Sequence, residues 1–145
     1  MTMSAFELLH RAGWTQFRRV DVDETVSRLQ ASGYAVVPPY RELIAQLLGL
    51  VVLSEDGKNS LEFDMDGIAA RTDAELCEAY GEDIGRAVTP VGFYSDMVLW
   101  VDEVGEFWGS FDLQYGRIGQ NIQEVIQWLL VDPASMHMFD RRLPD

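Results

Sequence analysis

Glu62, Asp64 and Asp66 stand two residues apart, interleaved with Leu61, Phe63 and Met65. On a strand this period places all three carboxylates on one face. Such a row can hold a cation, or divide general acid and general base roles between neighbours. It does not fit a calcium-binding EF-hand loop, because Ile68 and Ala69 fall where a ligand and a glycine belong. The plainer reading is a solvated strand face whose like charges are screened by water. Beyond that, docking of a basic partner is preferred to a metal site. Asp102, Glu103 and Glu106 gather around a later turn, and Glu82-Asp83 is a similar acidic pair. Trp108 lies near the same turn; exposed, it would be an interface anchor, although its alternation with Phe107 and Gly109 favours a core or half-core position. The candidate partner-binding residues are therefore Glu62, Asp64, Asp66, Asp102, Glu103, Glu106 and Trp108.

Other reactive side chains are few. His10 and His137 are the only histidines, and no Cys or His pair has metal-ligand spacing. Cys77 falls on the apolar side of a helical segment beside Leu76, the setting of a buried structural thiol rather than an activated nucleophile. No P-loop, GxGxxG or GxSxG motif occurs. Gly116-Arg117-Ile118-Gly119 could cradle an anion before the last helix, but a plain turn explains it as well. No catalytic residue, metal or cofactor is expected.

These residues need elements to place them. Phe6, Leu8, Leu9 and Ala12 suit a short first helix. Asp21 and Glu24 have capping-box spacing before a second helix that Gly33 ends. Pro38-Pro39 opens a third, with Tyr40, Leu43, Ile44, Leu47 and Leu48 at helical spacing. Residues 50–53 read as a buried strand and 61–66 as a half-exposed one. A helix over 73–84 follows, with Gly85 and Pro90 marking its exit. Strands are predicted over 91–94, 97–101 and 106–111, the last two joined in a hairpin across residues 102–105. Residues 121–131 form the closing helix, with Asn121 and Glu124 at its cap. Trp14, Trp100 and Trp128 sit in apolar surroundings and read as core. The expected fold is α+β: a mixed, mostly antiparallel sheet of about five or six strands packed with four or five helices.

Composition sets the frame for any partner. The 145 residues suit one domain, 1–145, with the tail 134–145 loosely held. Hydrophobic residues at 48% exclude disorder. The net charge of −13 argues against nucleic acid and anionic membranes and favours a basic partner. One cysteine, no signal-like N-terminus and no long apolar run point to the cytoplasm. Oligomeric state is not legible.

The ordered pieces resemble a known family. Leu9-x-x-Ala12-Gly13-Trp14, Arg18-x-Val20-Asp21 and Leu29-x-x-x-Gly33-Tyr34 are similar to the N-terminal part of the SUKH superfamily of immunity proteins, closest to its third subfamily. Leu43-x-x-x-Leu47-x-Gly49-Leu50 resembles its next segment, departing from the usual pair of glycines at Leu48. Pro90-Val91-Gly92 and Leu99-x-Val101-Asp102-x-x-Gly105-x-Phe107 resemble the strands that follow. The resemblance implies a SUKH-like α+β domain that binds and neutralises a cognate polymorphic toxin, with no catalytic residues. The acidic balance suits a basic toxin of nuclease type. A non-catalytic regulatory or adaptor module of the same fold is the alternative. A hydrolase using Glu62, Asp64 or Asp66 is the least supported.

Overall fold

Every residue of Met97–Asp102 is buried. A strand reaches that state only where both faces of its sheet are covered. The computed structural model, which describes residues 2–133 and 139–144, shows how. Seven strands pair antiparallel, and their order in the sheet repeats their order in the chain. They are β1 (Val51–Leu53), β2 (Ser60–Glu62), β3 (Val88–Tyr94), β4 (Met97–Asp102), β5 (Phe107–Phe111), β6 (Gln114–Gly119) and β7 (Arg141–Arg142). The helices are α1 (Ala5–Arg11), α2 (Asp23–Ala31), α3 (Tyr40–Leu47), α4 (Met65–Ala69), α5 (Ala74–Ile84) and α6 (Ile122–Ile126). A π-helical turn, Gln127–Val131, prolongs α6.

The side-chain alternation of β4 divides the core in two. Met97, Leu99 and Val101 join Leu8 and Leu9 of α1, Leu29 of α2, Ile44 of α3 and Val125 of α6. Val98 and Trp100 point the other way, to Cys77 and Tyr80 of α5. The sheet is thus a middle layer, with α1, α2, α3 and α6 on one face and α5 on the other. The α+β class holds; all strand pairings are antiparallel, and the described residues contain seven strands and six helices, slightly above expectation.

Caps fix several ends. Ser4 and Glu7 form a reciprocal capping box on α1, with bonds of 3.2 and 3.1 Å. Asp73 accepts from the Leu76 amide at 2.9 Å, and Gly85, at φ +85°, closes the same helix α5. Asn121 caps α6 as expected, accepting from the Glu124 amide at 2.9 Å. The box expected at Asp21 and Glu24 does not form. Burial of Val22 turns the chain so that Asp21 accepts from the Asp23 amide at 3.0 Å, and α2 has no side-chain cap.

Other departures follow from packing. Only Val52 is buried in β1; Val51 and Leu53 face out. Residues 116–119 are not a turn but part of β6, between β5 and β7. A side-chain carbon at Gly119 would come within 3.1 Å of Val125, so glycine there allows the approach of α6. Part of the tail is described. Arg141–Arg142 pairs with β6, and Leu143 is buried. Residues 134–138, and His137 with them, lie outside the described residues. Trp100 is core, whereas Trp14 and Trp128 are half-buried against it.

Pro90 does not mark a helix exit; it lies inside β3, where the register with β4 shifts between Pro90 and Gly92. A bulge is where a sheet tolerates proline. Gly92 lets β2 approach: a Cβ there would sit 2.7 Å from the Glu62 carbonyl oxygen and 3.1 Å from the Phe63 ring. Backbone cannot yield as a side-chain end can. Gly92→Ala is expected to lower unfolding free energy by about 2–3 kcal/mol. Urea denaturation measures it, and a loss below about 0.5 kcal/mol would show that β2 is free to move.

Candidate functional site

The structure separates the three carboxylates that the sequence sets in a row. Glu62 ends β2, opposite Phe93, and accepts from the Ser60 hydroxyl at 3.1 Å. The chain then leaves the sheet. Asp64 becomes the cap of α4, accepting from the Gly67 amide at 3.2 Å. Asp66, inside α4, pairs with Arg28 of α2 at 3.1 Å. Helix capping overrides the alternation, so no strand-face row exists to share a cation or a proton. Among the described residues no three His, Cys, Asp or Glu side chains come together as a metal site could require.

Asp102 is not a surface residue either. Its side chain has 0% exposure and lies on the α5 face of the sheet. Burial favours the neutral acid. Four donors oppose that: Trp108 Nε1, the Glu106 and Val104 amides, and Arg86 Nη1, each at 3.0 Å. They outweigh burial and hold the carboxyl below its ordinary value. Trp108 is likewise buried, with Arg141 lying 5.2 Å over its ring, so it packs within the fold at the β4–β5 hairpin. Glu106 is half-buried between Arg86 and Arg117. Glu103 is exposed and accepts from the Ala87 amide at 3.0 Å. Of the seven candidates, Asp102 and Trp108 are thus internal, and Glu62, Asp64, Asp66, Glu103 and Glu106 each have a hydrogen-bond or ion-pair partner within the chain.

Cys77 is buried as expected, its thiol donating to the Val88 carbonyl at 3.2 Å and pushed up in pKa by burial. Both features oppose thiolate reactivity. His10 is exposed and packs edge-on against Trp14 at 5.3 Å.

The anionic surface has a structural cause. The chain has ten arginines and one lysine. Arg11, Arg18 and Arg71 donate to backbone carbonyls; Arg28, Arg41, Arg86 and Arg117 meet carboxylates. Most of the cations are thus tied to carbonyls or carboxylates of the same chain, and the excess carboxylates dominate the field outside.

Helix α5 concentrates them. It carries Glu75, Glu78, Glu82 and Asp83 and no basic residue. Glu75, Glu78 and Glu82 recur at helical spacing along one outer stripe, and none has an ion-pair partner among the described residues. Asp83 accepts from the Tyr115 hydroxyl. Glu82 and Asp83 stand in the last turn, where the helix dipole disfavours anions by about 0.3–1 kcal/mol. Between α5 and the end of the sheet runs a groove of about 500 Å³, floored by Leu76, Ala79, Leu113 and Leu143 and rimmed by Asp73, Glu75, Glu82 and Asp83. Of this rim only Glu82-Asp83 stands out from the sequence alone. The spacing of Glu75, Glu78 and Glu82 within the predicted helix would have found the stripe.

No helix of the described residues is long and apolar enough to cross a membrane. No significant match to a curated protein or to a solved structure exists. A family model described as SUKH-3 immunity protein matches residues 1–132, which takes in every element from α1 to the π-helical turn. On that match the chain belongs to the SUKH-3 immunity protein family, within the SUKH superfamily.

Proposed function

We propose that this protein binds a cognate toxin in the cytoplasm and neutralises it, and that the toxin is basic and of nuclease type. The observation that carries the reading is the family match across residues 1–132. Two features of the chain support the nature of the partner. Its charge is −13, and most of its ten arginines already bond to carbonyls or carboxylates of the same chain, so the outer field is anionic. An anionic inhibitor meets a cationic nuclease at rates well above those of neutral surfaces, an advantage against a toxin already inside the cell. A surface built to repel phosphate also keeps the inhibitor off the toxin's own nucleic acid substrate.

The test is co-expression with the toxin domain encoded beside this chain. Growth should be restored, and the purified proteins should form a complex whose association slows steeply as salt rises. Absence of both binding and protection with every neighbouring toxin domain would sink the reading.

A further inference from the structure

The groove beside α5 has the composition of a docking site without an occupant among the described residues. Its floor is apolar and half-open, formed by Leu76, Ala79, Leu113 and Leu143. Its rim is anionic, and Glu75 and Glu82 on that rim have no ion-pair partner among the described residues. Folding uses Asp73 as the cap of α5 and Asp83 as the acceptor for Tyr115, but gains nothing from Glu82. Glu78 and Glu82 repel one another at i, i+4, and Glu82 opposes the helix dipole. Local choices that work against the fold mark places where a protein serves something other than its own stability.

Resting on the immunity reading, we infer that this groove receives a basic amphipathic segment of the toxin, an apolar side chain seated on Ala79 and Leu143 with Lys or Arg reaching Glu75 and Glu82. Charge decides the occupant. A second copy of this chain would bring −13 to an anionic rim, whereas a cationic segment fills the floor and neutralises the rim together. The eleven residues of α5 give the groove a length of roughly 16 Å, enough for about five residues of extended chain.

The experiment uses the full chain and a catalytically inactivated copy of the toxin domain encoded beside it. Ala79→Arg places a cation and a long side chain in the floor while keeping a good helix former. It is expected to weaken binding by about 100-fold, as loss of an interface centre does. Glu75→Gln with Glu82→Gln is expected to slow association about tenfold at low salt. Glu24→Gln with Glu42→Gln removes the same charge from α2 and α3, outside the groove, and should change neither by more than about twofold. All variants should melt cooperatively, which separates lost docking from lost folding. If Ala79→Arg, still folded, binds like the parent, or if the distant pair slows association as much as the groove pair, the groove is not the docking site and the immunity reading stands. If the parent chain itself binds no such toxin, both fall together.

Discussion

Asp102→Ala is expected to cost about 3–5 kcal/mol of folding stability, far more than any single surface carboxylate. The reason lies in what the carboxylate leaves behind. Trp108 Nε1 is buried and would lose its acceptor. The amides of Val104 and Glu106, which Asp102 gathers at the neck of the β4–β5 hairpin, would lose theirs. Each unmet donor costs about 1–3 kcal/mol, less where water can reach it. Arg86→Ala should cost less, because that side chain is 40% exposed and its loss leaves Asp102 three donors. The contrast is the test. Equal losses for the two variants in urea denaturation would mean that the ion pair, not the hairpin neck, does the holding. The same carboxyl gives an acid limb to stability. Its folded pKa is depressed, so its contribution is complete above the ordinary carboxylate value of about 4 and disappears as pH falls through the folded value. Asp102→Asn should flatten that limb in melts taken between about pH 5 and pH 2.

Trp100→Ala should cost about 3–5 kcal/mol for a different reason. Trp100 is among the largest fully buried side chains. It packs edge-on to Tyr80 of α5 at 5.3 Å between ring centroids, and its Nε1 donates to the Ser110 hydroxyl at 2.8 Å. Truncation opens a cavity beneath the single helix of that layer. Trp100→Phe keeps much of the volume and should cost about half as much, with Ser110 left to find water. If α5 relaxes onto the gap, the two variants will melt alike and the packing estimate fails.

Much of this architecture can be read from the chain. α5, β3, β4, β5 and the closing helix stand where alternation, caps and glycines place them, and Cys77 is buried as its neighbours imply. The site was harder to read because each failure turns on a competition between two local rules. Glu62, Asp64 and Asp66 alternate with apolar residues, yet Asp64 caps α4 and breaks the strand. Gly116 and Gly119 have the composition of a turn, but the close approach of the tail and α6 makes them strand residues. Asp102 has the composition of a surface and the hydrogen bonds of a core. The deciding partner is a specific contact in each case, near in sequence for Asp64 with Gly67 and Asp102 with Trp108, remote for Asp66 with Arg28 and Asp102 with Arg86. Alternation and composition do not carry that information.

The meander has a consequence for how the protein is made. Strand order repeats chain order, so each strand can pair with its predecessor soon after leaving the ribosome. The first three helices emerge before the sheet they cover, and their apolar stripes stay open until β3, β4 and β5 are complete. The last strand arrives when little remains but to dock, and the residue after it, Leu143, forms part of the floor beside α5. A nascent chain therefore acquires a folded body before it acquires that groove, and a released chain cut short before Arg141 would carry six of the seven strands with the floor beside α5 unfinished.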